Sequence, residues 1–399
     1  MTPRFQYAVV GRGLTGSAAA RHLAERLPGV VLIGPDEPAT RTTHDGVFAS
    51  HYDEGRITRT IDPDENWARF ANRSIARYRD IEARSGSRFF SEKGCLISGR
   101  TTGRSQQYMA DVRAVAARLG VAYERLNDVD LAARFPYFGF PGGSDAVFEP
   151  TGAGHVSPRN LVAAQTRLAE MAGATIIRDQ VDRITQRDGY AEIAAAGGET
   201  LTAEKVLVAA GGFTNRKGLL PAPLDLDVYG RTVTFFEVDE TEAARLAGMP
   251  SMIHEPEDAA LGIYMLPPIR YPDGKFYLKI GGDTVDIPLE SESEVRAWFR
   301  TAGDAGALAH LVRNMGDLVP GLDVAGIHSE SCVTSYTPTG YPAIGWTASP
   351  SIAVMAGGCG AAAKSSDEIG RLGAELLEHG RIIDPAYDAD FTPRFRASP

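Results

Sequence analysis

The chain has 399 residues, 43% hydrophobic and 23% charged, and its 41 basic and 51 acidic side chains give a net charge of −10. A chain this long exceeds what one hydrophobic core ordinarily fills, so two domains are expected. The acidic balance excludes a general affinity for nucleic acid or for an anionic membrane surface. The longest uncharged, mostly apolar run, Ile352 to Ala363, falls short of the roughly 18 residues of a membrane span. Cys95, Cys332 and Cys359 cannot build a disulfide framework and form no zinc-type pair. Met1-Thr2-Pro3-Arg4 leads straight into a strand pattern without a secretory leader, so a cytoplasmic enzyme is expected.

In chain order, Tyr7 to Val10 reads as a short buried strand, followed at once by glycines. Ala20, Leu23, Ala24 and Leu27 then share one helix face, and Val30 to Ile33 supplies a second strand. Asp62-Pro-Asp-Glu65 predicts a helix start, with Trp67, Phe70, Ser74, Tyr78 and Ile81 along one face. From Phe89 short strands and helices suggest inserted material. Ser157-Pro158 predicts a capped helix carrying Leu161, Ala164, Gln165 and Leu168 inward. Val206 to Gly211 is apolar throughout, as a parallel strand covered on both faces should be. Antiparallel strands with one helix, around Val295 to Leu311, are expected between about 226 and 325. Ile352 to Met355 reads as a buried strand. A glycine loop follows, then a helix aligning Ile369, Leu372, Gly373 and Leu376.

These elements predict an α/β protein. A discontinuous Rossmann-type domain (1–86, 146–225 and 326–399) would carry an α+β substrate domain with a mainly antiparallel sheet (87–145 and 226–325). The strongest local signal is Gly11-Arg-Gly13-Leu-Thr-Gly16 between strand and helix. Its glycines permit a tight turn and close approach to a pyrophosphate, which the helix N-terminus attracts. The acid expected at the end of the second strand to hold a ribose hydroxyl is replaced by Gly34, so either Asp36, the nearest acid, reaches back or backbone groups and water hold that ribose. On these residues the dinucleotide is FAD or a nicotinamide, with the interrupted domain favouring FAD.

Three further stretches follow the glycine loop: Ser50-His-Tyr-Asp-Glu-Gly-Arg-Ile-Thr-Arg59, Cys332-Val-Thr-Ser-Tyr-Thr-Pro338, and Met355-Ala-Gly-Gly-Cys-Gly-Ala-Ala-Ala-Lys364. Together with Gly11, Gly13, Gly16 and the strand to Gly211, they resemble, in order and over the whole chain, the monomeric sarcosine oxidase and N-methyltryptophan oxidase family. That family belongs to the D-amino-acid-oxidase-like flavoproteins. The resemblance implies FAD held by the glycine loop, Asp36, His51, Val181, Gly211, Gly358, Gly360 and Lys364, and bound covalently through Cys332. It places Arg56 beside the flavin. Arg59 and Lys364 would grip a substrate carboxylate, a task that suits a planar guanidinium fork. Lys279, by the same resemblance, would promote the reaction with oxygen.

The implied activity is oxidation of a secondary amino acid (sarcosine, another N-alkyl amino acid or a cyclic imino acid) to an imine. Electrons would pass to oxygen and give hydrogen peroxide. The departures fall on the substrate side. Tyr52 and Asp283 stand where the family carries histidines, and Met265 where it carries a tyrosine. Asp283 is either a substrate contact or a turn residue after Gly281-Gly282. The alternatives are a dehydrogenase with a non-oxygen acceptor, a biosynthetic tailoring oxidase of a larger cyclic amine, and a flavin-binding subunit of a larger complex. A monomer or small homo-oligomer is expected, and no histidine cluster has metal spacing.

Overall fold

The computed structural model describes residues 4–396. An eight-stranded sheet centres on Arg4–Val10, paired in parallel with Val30–Ile33 on one side and Thr200–Val208 on the other. Thr175–Ile177 extends the sheet in parallel beyond Val30–Ile33, and Ile352–Ala356 pairs in parallel with Val206 to Val208. The central strands are apolar because both faces are covered, one by helices Leu14–Ala24 and Ala362–His379 and the other by strands Val181–Arg187 and Tyr190–Ala195. Helix Leu14–Ala24 crosses helix Ala362–His379 closely enough that a Cβ on Gly370 would press on Ala18 and on the Ala19 backbone.

The predicted caps form. Asp64 accepts from the Trp67 N–H at the head of helix Glu65–Ser85, and Ser157 accepts from the Asn160 N–H ahead of helix Pro158–Met171. The faces proposed for both helices are buried. The single helix expected around Val295 to Leu311 is instead two, Glu292–Phe299 and Ala305–Leu318. Gly303 breaks it with φ +89°, and Asp304 caps the second helix by accepting from the Ala307 N–H.

A nine-stranded sheet faces the first. It is antiparallel apart from Ser251–Glu255, which runs parallel to Cys95–Arg100. Gly326–Tyr336 pairs with Asp227–Val238 along its whole length, so this strand joins the second sheet rather than the segment beginning at 326 as expected. Ser144–Glu149 likewise belongs wholly to the second sheet, although a boundary was expected at 146. A small three-stranded sheet of Arg56–Thr58, Gly154–Val156 and Phe90–Ser91 also forms. Among the described residues, no helix is long and apolar enough to cross a membrane, and no group of side chains could hold a metal ion.

Candidate active site

The site begins where strand Arg4–Val10 ends. Gly11 has φ +115°, and a Cβ there would collide with the Ala209 carbonyl oxygen. Only glycine lets the chain turn this tightly against the neighbouring strand. Gly16 packs on the Gly11 carbonyl and the Ala209 side chain, so its smallness serves helix–strand packing and it does not line the cavity. Gly13 caps helix Leu14–Ala24 with no side-chain hydrogen bond and no acid in the first turn. A Cβ on Gly13 would meet only open space. The first-turn N–H groups and the helix dipole are therefore left for an anion, which is what a dinucleotide pyrophosphate requires. His51 adds a buried Nδ1 without a partner, and burial pushes its imidazole down to about 3. The ring is thus neutral, and its nitrogen is available to a bound group.

From this loop a cavity of about 690 Å³ runs between the two sheets to Arg59 and Lys364. Val181, Gly211, Gly358 and Gly360 line it, as do His51, Tyr52 and Cys332. Asp36 does not. It sits at the rim, ion-paired with Arg12 and with Arg178 at 2.8 Å, and is more than half exposed. The ribose contact expected of it is therefore not presented to the cavity.

At the far end, Arg59 and Lys364 converge on one atom. Asp62 Oδ2 accepts from Arg59 Nη2 at 2.8 Å and from Lys364 Nζ at 2.9 Å. Burial alone would raise the Asp62 carboxyl, but Lys364 and Arg59 outweigh it and hold the group below the usual range. Burial likewise works against the Arg59 charge, and Asp62 overcomes it. For Lys364, burial prevails and lowers the ammonium. Arg59 Nε remains buried with no hydrogen-bond partner, an unsatisfied donor beside the cavity. Asp62 carried no signal beyond an acid at a helix start, and its partner Lys364 lies 302 positions away.

A second charged cluster lies behind Arg56. Asp53 takes an ion pair from Arg56, one from Lys279 at 2.6 Å, and the Tyr271 hydroxyl hydrogen bond at 2.7 Å. Lys279 also donates to the Gly55 carbonyl oxygen, is fully buried, and does not line the cavity. Lys279 therefore faces Asp53 and Gly55 and not the cavity, where the expected role in the reaction with oxygen would place it. Burial and the Arg56 charge push the Lys279 ammonium well below its ordinary range. Arg56 Nη2 lies 3.6 Å from Cys332 Sγ. Of the three cysteines only Cys332 lines the cavity. Cys95 is fully buried, and burial pushes its thiol up to about 12.

On the substrate side, Asp283 lines the cavity and accepts from the Thr232 N–H at 2.9 Å. Burial pushes it up to about 6. Asp283 thus follows the end of strand Phe276–Gly281 and faces the cavity, where a substrate could meet it. Met265 is corrected: it is buried against Met252, Leu278 and Ile280, while Tyr264, its neighbour, faces the cavity. One step along a strand reverses the face. Burial pushes Tyr52 up to about 12, and its ring meets the His51 ring edge-on at 4.7 Å.

A glycine-cradled dinucleotide cavity that ends at a buried guanidinium–ammonium pair defines a flavin-type oxidoreductase site. The family model described as FAD dependent oxidoreductase matches residues 6–376, and the chain belongs to this family. Monomeric sarcosine oxidase of Bacillus sp. (strain NS-129) is 26% identical over 389 residues, covering 96% of this chain and 95% of that protein. N-methyl-L-tryptophan oxidase of Yersinia pestis (strain Pestoides F) is 23% identical and covers 84% of each. The solved structure of NikD, described as an unusual amino acid oxidase essential for nikkomycin biosynthesis, shares the fold. Its TM-score is 0.76 at 23% identity, over 100% of this chain and 99% of that one.

Proposed function

We propose that this chain oxidises a secondary amino acid, either an N-alkyl amino acid such as sarcosine or a cyclic imino acid, to an imine. The observation that carries this reading is the pairing of Arg59, with an unsatisfied Nε, and Lys364 at the end of a cavity continuous with the glycine cradle. The substrate loses two electrons and two hydrogens. The imine hydrolyses in water, and oxygen takes the electrons and two protons to become hydrogen peroxide. FAD, when bound along the cavity, supplies the acceptor chemistry. The protein holds the carboxylate through Arg59 and Lys364, and Asp62 fixes both cations in place. Tyr108 and Tyr264 wall the substrate end and limit water. The closeness of Arg56 to Cys332 supports a thioether link to the cofactor through that cysteine.

In this reading the two larger sheets correspond to a cofactor domain and a substrate domain, and the enzyme works in the cytoplasm as a monomer or small homo-oligomer. The test is a panel of sarcosine, longer N-methyl amino acids and cyclic imino acids, with flavin bleaching followed without oxygen and peroxide yield followed in air. One peroxide per substrate consumed supports an oxidase. Bleaching without peroxide in air, with turnover restored by an added dye, assigns a dehydrogenase. Failure of every secondary amino acid to bleach the flavin overturns the reading.

A further inference from the structure

The cavity is lined by a carboxylate that no side chain among the described residues pairs with directly. Glu255 ends strand Ser251–Glu255, its backbone set by pairing with Gly99 and by the Ser105 hydroxyl, which donates to the Glu255 carbonyl at 2.6 Å. Strand alternation puts Ile253 and Glu255 on the cavity side. Met252 enters the core on the other side, and His254 Nδ1 meets Ser98 Oγ at 2.9 Å. A Cβ on Gly262 would come within 3.4 Å of Glu255 Oε2, so the missing side chain leaves that oxygen room.

Among the described residues, the half-buried Glu255 carboxylate makes no hydrogen bond and no ion pair, unlike the buried acids around it. Asp53, Asp62 and Glu149 are each held by several donors. The Arg59 and Arg104 charges both reach Glu255, but neither forms an ion pair with it, Arg59 being engaged with Asp62, and burial outweighs them and raises the Glu255 carboxyl. Removing a carboxylate from water without a partner is costly, and closing a ligand over it makes the cost larger.

We propose that Glu255 selects substrates bearing a cationic group, of the alkylammonium or guanidinium kind, at the end remote from the α-carboxylate. This rests on the carboxylate grip of Arg59 and Lys364 in the function proposed above. Arg59, Lys364 and Asp62 together leave one positive charge, which the substrate carboxylate balances. Glu255 leaves one negative charge, which a substrate cation balances. A neutral side chain would bury Glu255 uncompensated, so the same residue also rejects apolar substrates.

The test uses equilibrium binding to the flavin-loaded protein, measured by calorimetry. The probes are straight-chain ω-amino carboxylates of roughly four to six carbons, each against the unsubstituted carboxylate of equal length. None carries an α-nitrogen, so none can be oxidised. At least one amino form should bind about tenfold more tightly than its neutral counterpart, the gain typical of one charge-assisted hydrogen bond. Glu255→Gln should erase that difference, and Glu255→Lys should transfer the preference to dicarboxylates. Equal binding of the two series by the unaltered protein, or a preference surviving in Glu255→Gln, overturns the proposal for Glu255. Loss of binding by every carboxylate would instead overturn the Arg59 and Lys364 grip, and the proposal would fall with it.

Discussion

Lys364 Nζ sits 2.9 Å from Asp62 Oδ2, and the same oxygen accepts from Arg59 Nη2 at 2.8 Å. The two cations assigned to the substrate carboxylate thus already share a resident one. Asp62 keeps the pair tolerable in a buried site and lowers its attraction for anions. Asp62→Asn removes the charge while keeping an acceptor. Its expected effects are opposite in sign. Stability should fall by about 3 kcal/mol, since buried cations lose their counter-charge. Acetate should bind several-fold more tightly. Urea unfolding and an acetate titration check the two effects, and weaker acetate binding would show that Asp62 acts only by orienting its partners.

Arg59→Ala removes the unpartnered Nε while leaving Lys364 on Asp62. The Michaelis constant for a secondary amino acid should rise by about 100-fold, as loss of a charge-assisted bidentate contact predicts. The flavin should stay bound, because the glycine loop lies at the other end of the cavity. Unchanged kinetics would withdraw the carboxylate role from Arg59.

Asp53 binds Lys279, Arg56 and Tyr271 at once. Asp53→Asn should cost about 3–5 kcal/mol, because two buried cations lose their shared counter-charge. Lys279→Met should cost less, since Arg56 and the Tyr271 hydroxyl still compensate the carboxylate. The double variant should recover part of the Asp53→Asn loss, with a coupling of about 1–3 kcal/mol. Strict additivity in unfolding experiments would mean that the two side chains do not share a buried ion pair.

Local pattern made much of this molecule readable from its sequence. The glycine loop, the caps at Asp64 and Ser157, and the stretch ending at Arg56 and Arg59 each declare themselves within about ten residues. Asp53, Asp62 and Glu255 do not. Asp53 meets Lys279 across 226 positions, and nothing near it in sequence marks that contact. Asp62 reads as an ordinary acid before a helix. Glu255, followed by Pro256, Glu257 and Asp258, reads as solvated charge on a turn. Met265 and Tyr264 are adjacent on one strand, which suffices to put one in the core and the other on the cavity, and the sequence pattern does not say which. The assignment of Gly326–Tyr336 failed for a related reason, because its pairing with Asp227–Val238 is a contact across a hundred residues.

Burial raises Asp283 to about 6, from an ordinary carboxylate value near ~4. A raised acid favours its protonated form in the folded state. Its stabilising contribution is therefore complete below about pH 4 and is lost as pH climbs through about 6. Asp283→Asn keeps an oxygen for the Thr232 N–H but does not ionise. The melting-temperature gap between Asp283→Asn and the parent should therefore widen in favour of the variant from about pH 4 to 6, and stay level above. A gap independent of pH would mean that Asp283 titrates as an ordinary surface acid.

Cys332 combines cavity exposure with a guanidinium 3.6 Å from its sulfur. Cys95 is sealed in the core, and Cys359 points back to the Gly357 carbonyl at 3.4 Å. If the cofactor is held by a thioether, only Cys332 can form it. Acid precipitation of the purified protein should then leave yellow colour in the pellet, and Cys332→Ser should release it to the supernatant. Arg56→Met should slow attachment without abolishing it, because the thiol remains in place but loses the guanidinium that donates to its sulfur. Release of all colour from the unaltered protein would reduce Cys332 to a wall of the cavity and leave the glycine cradle as the cofactor's main hold.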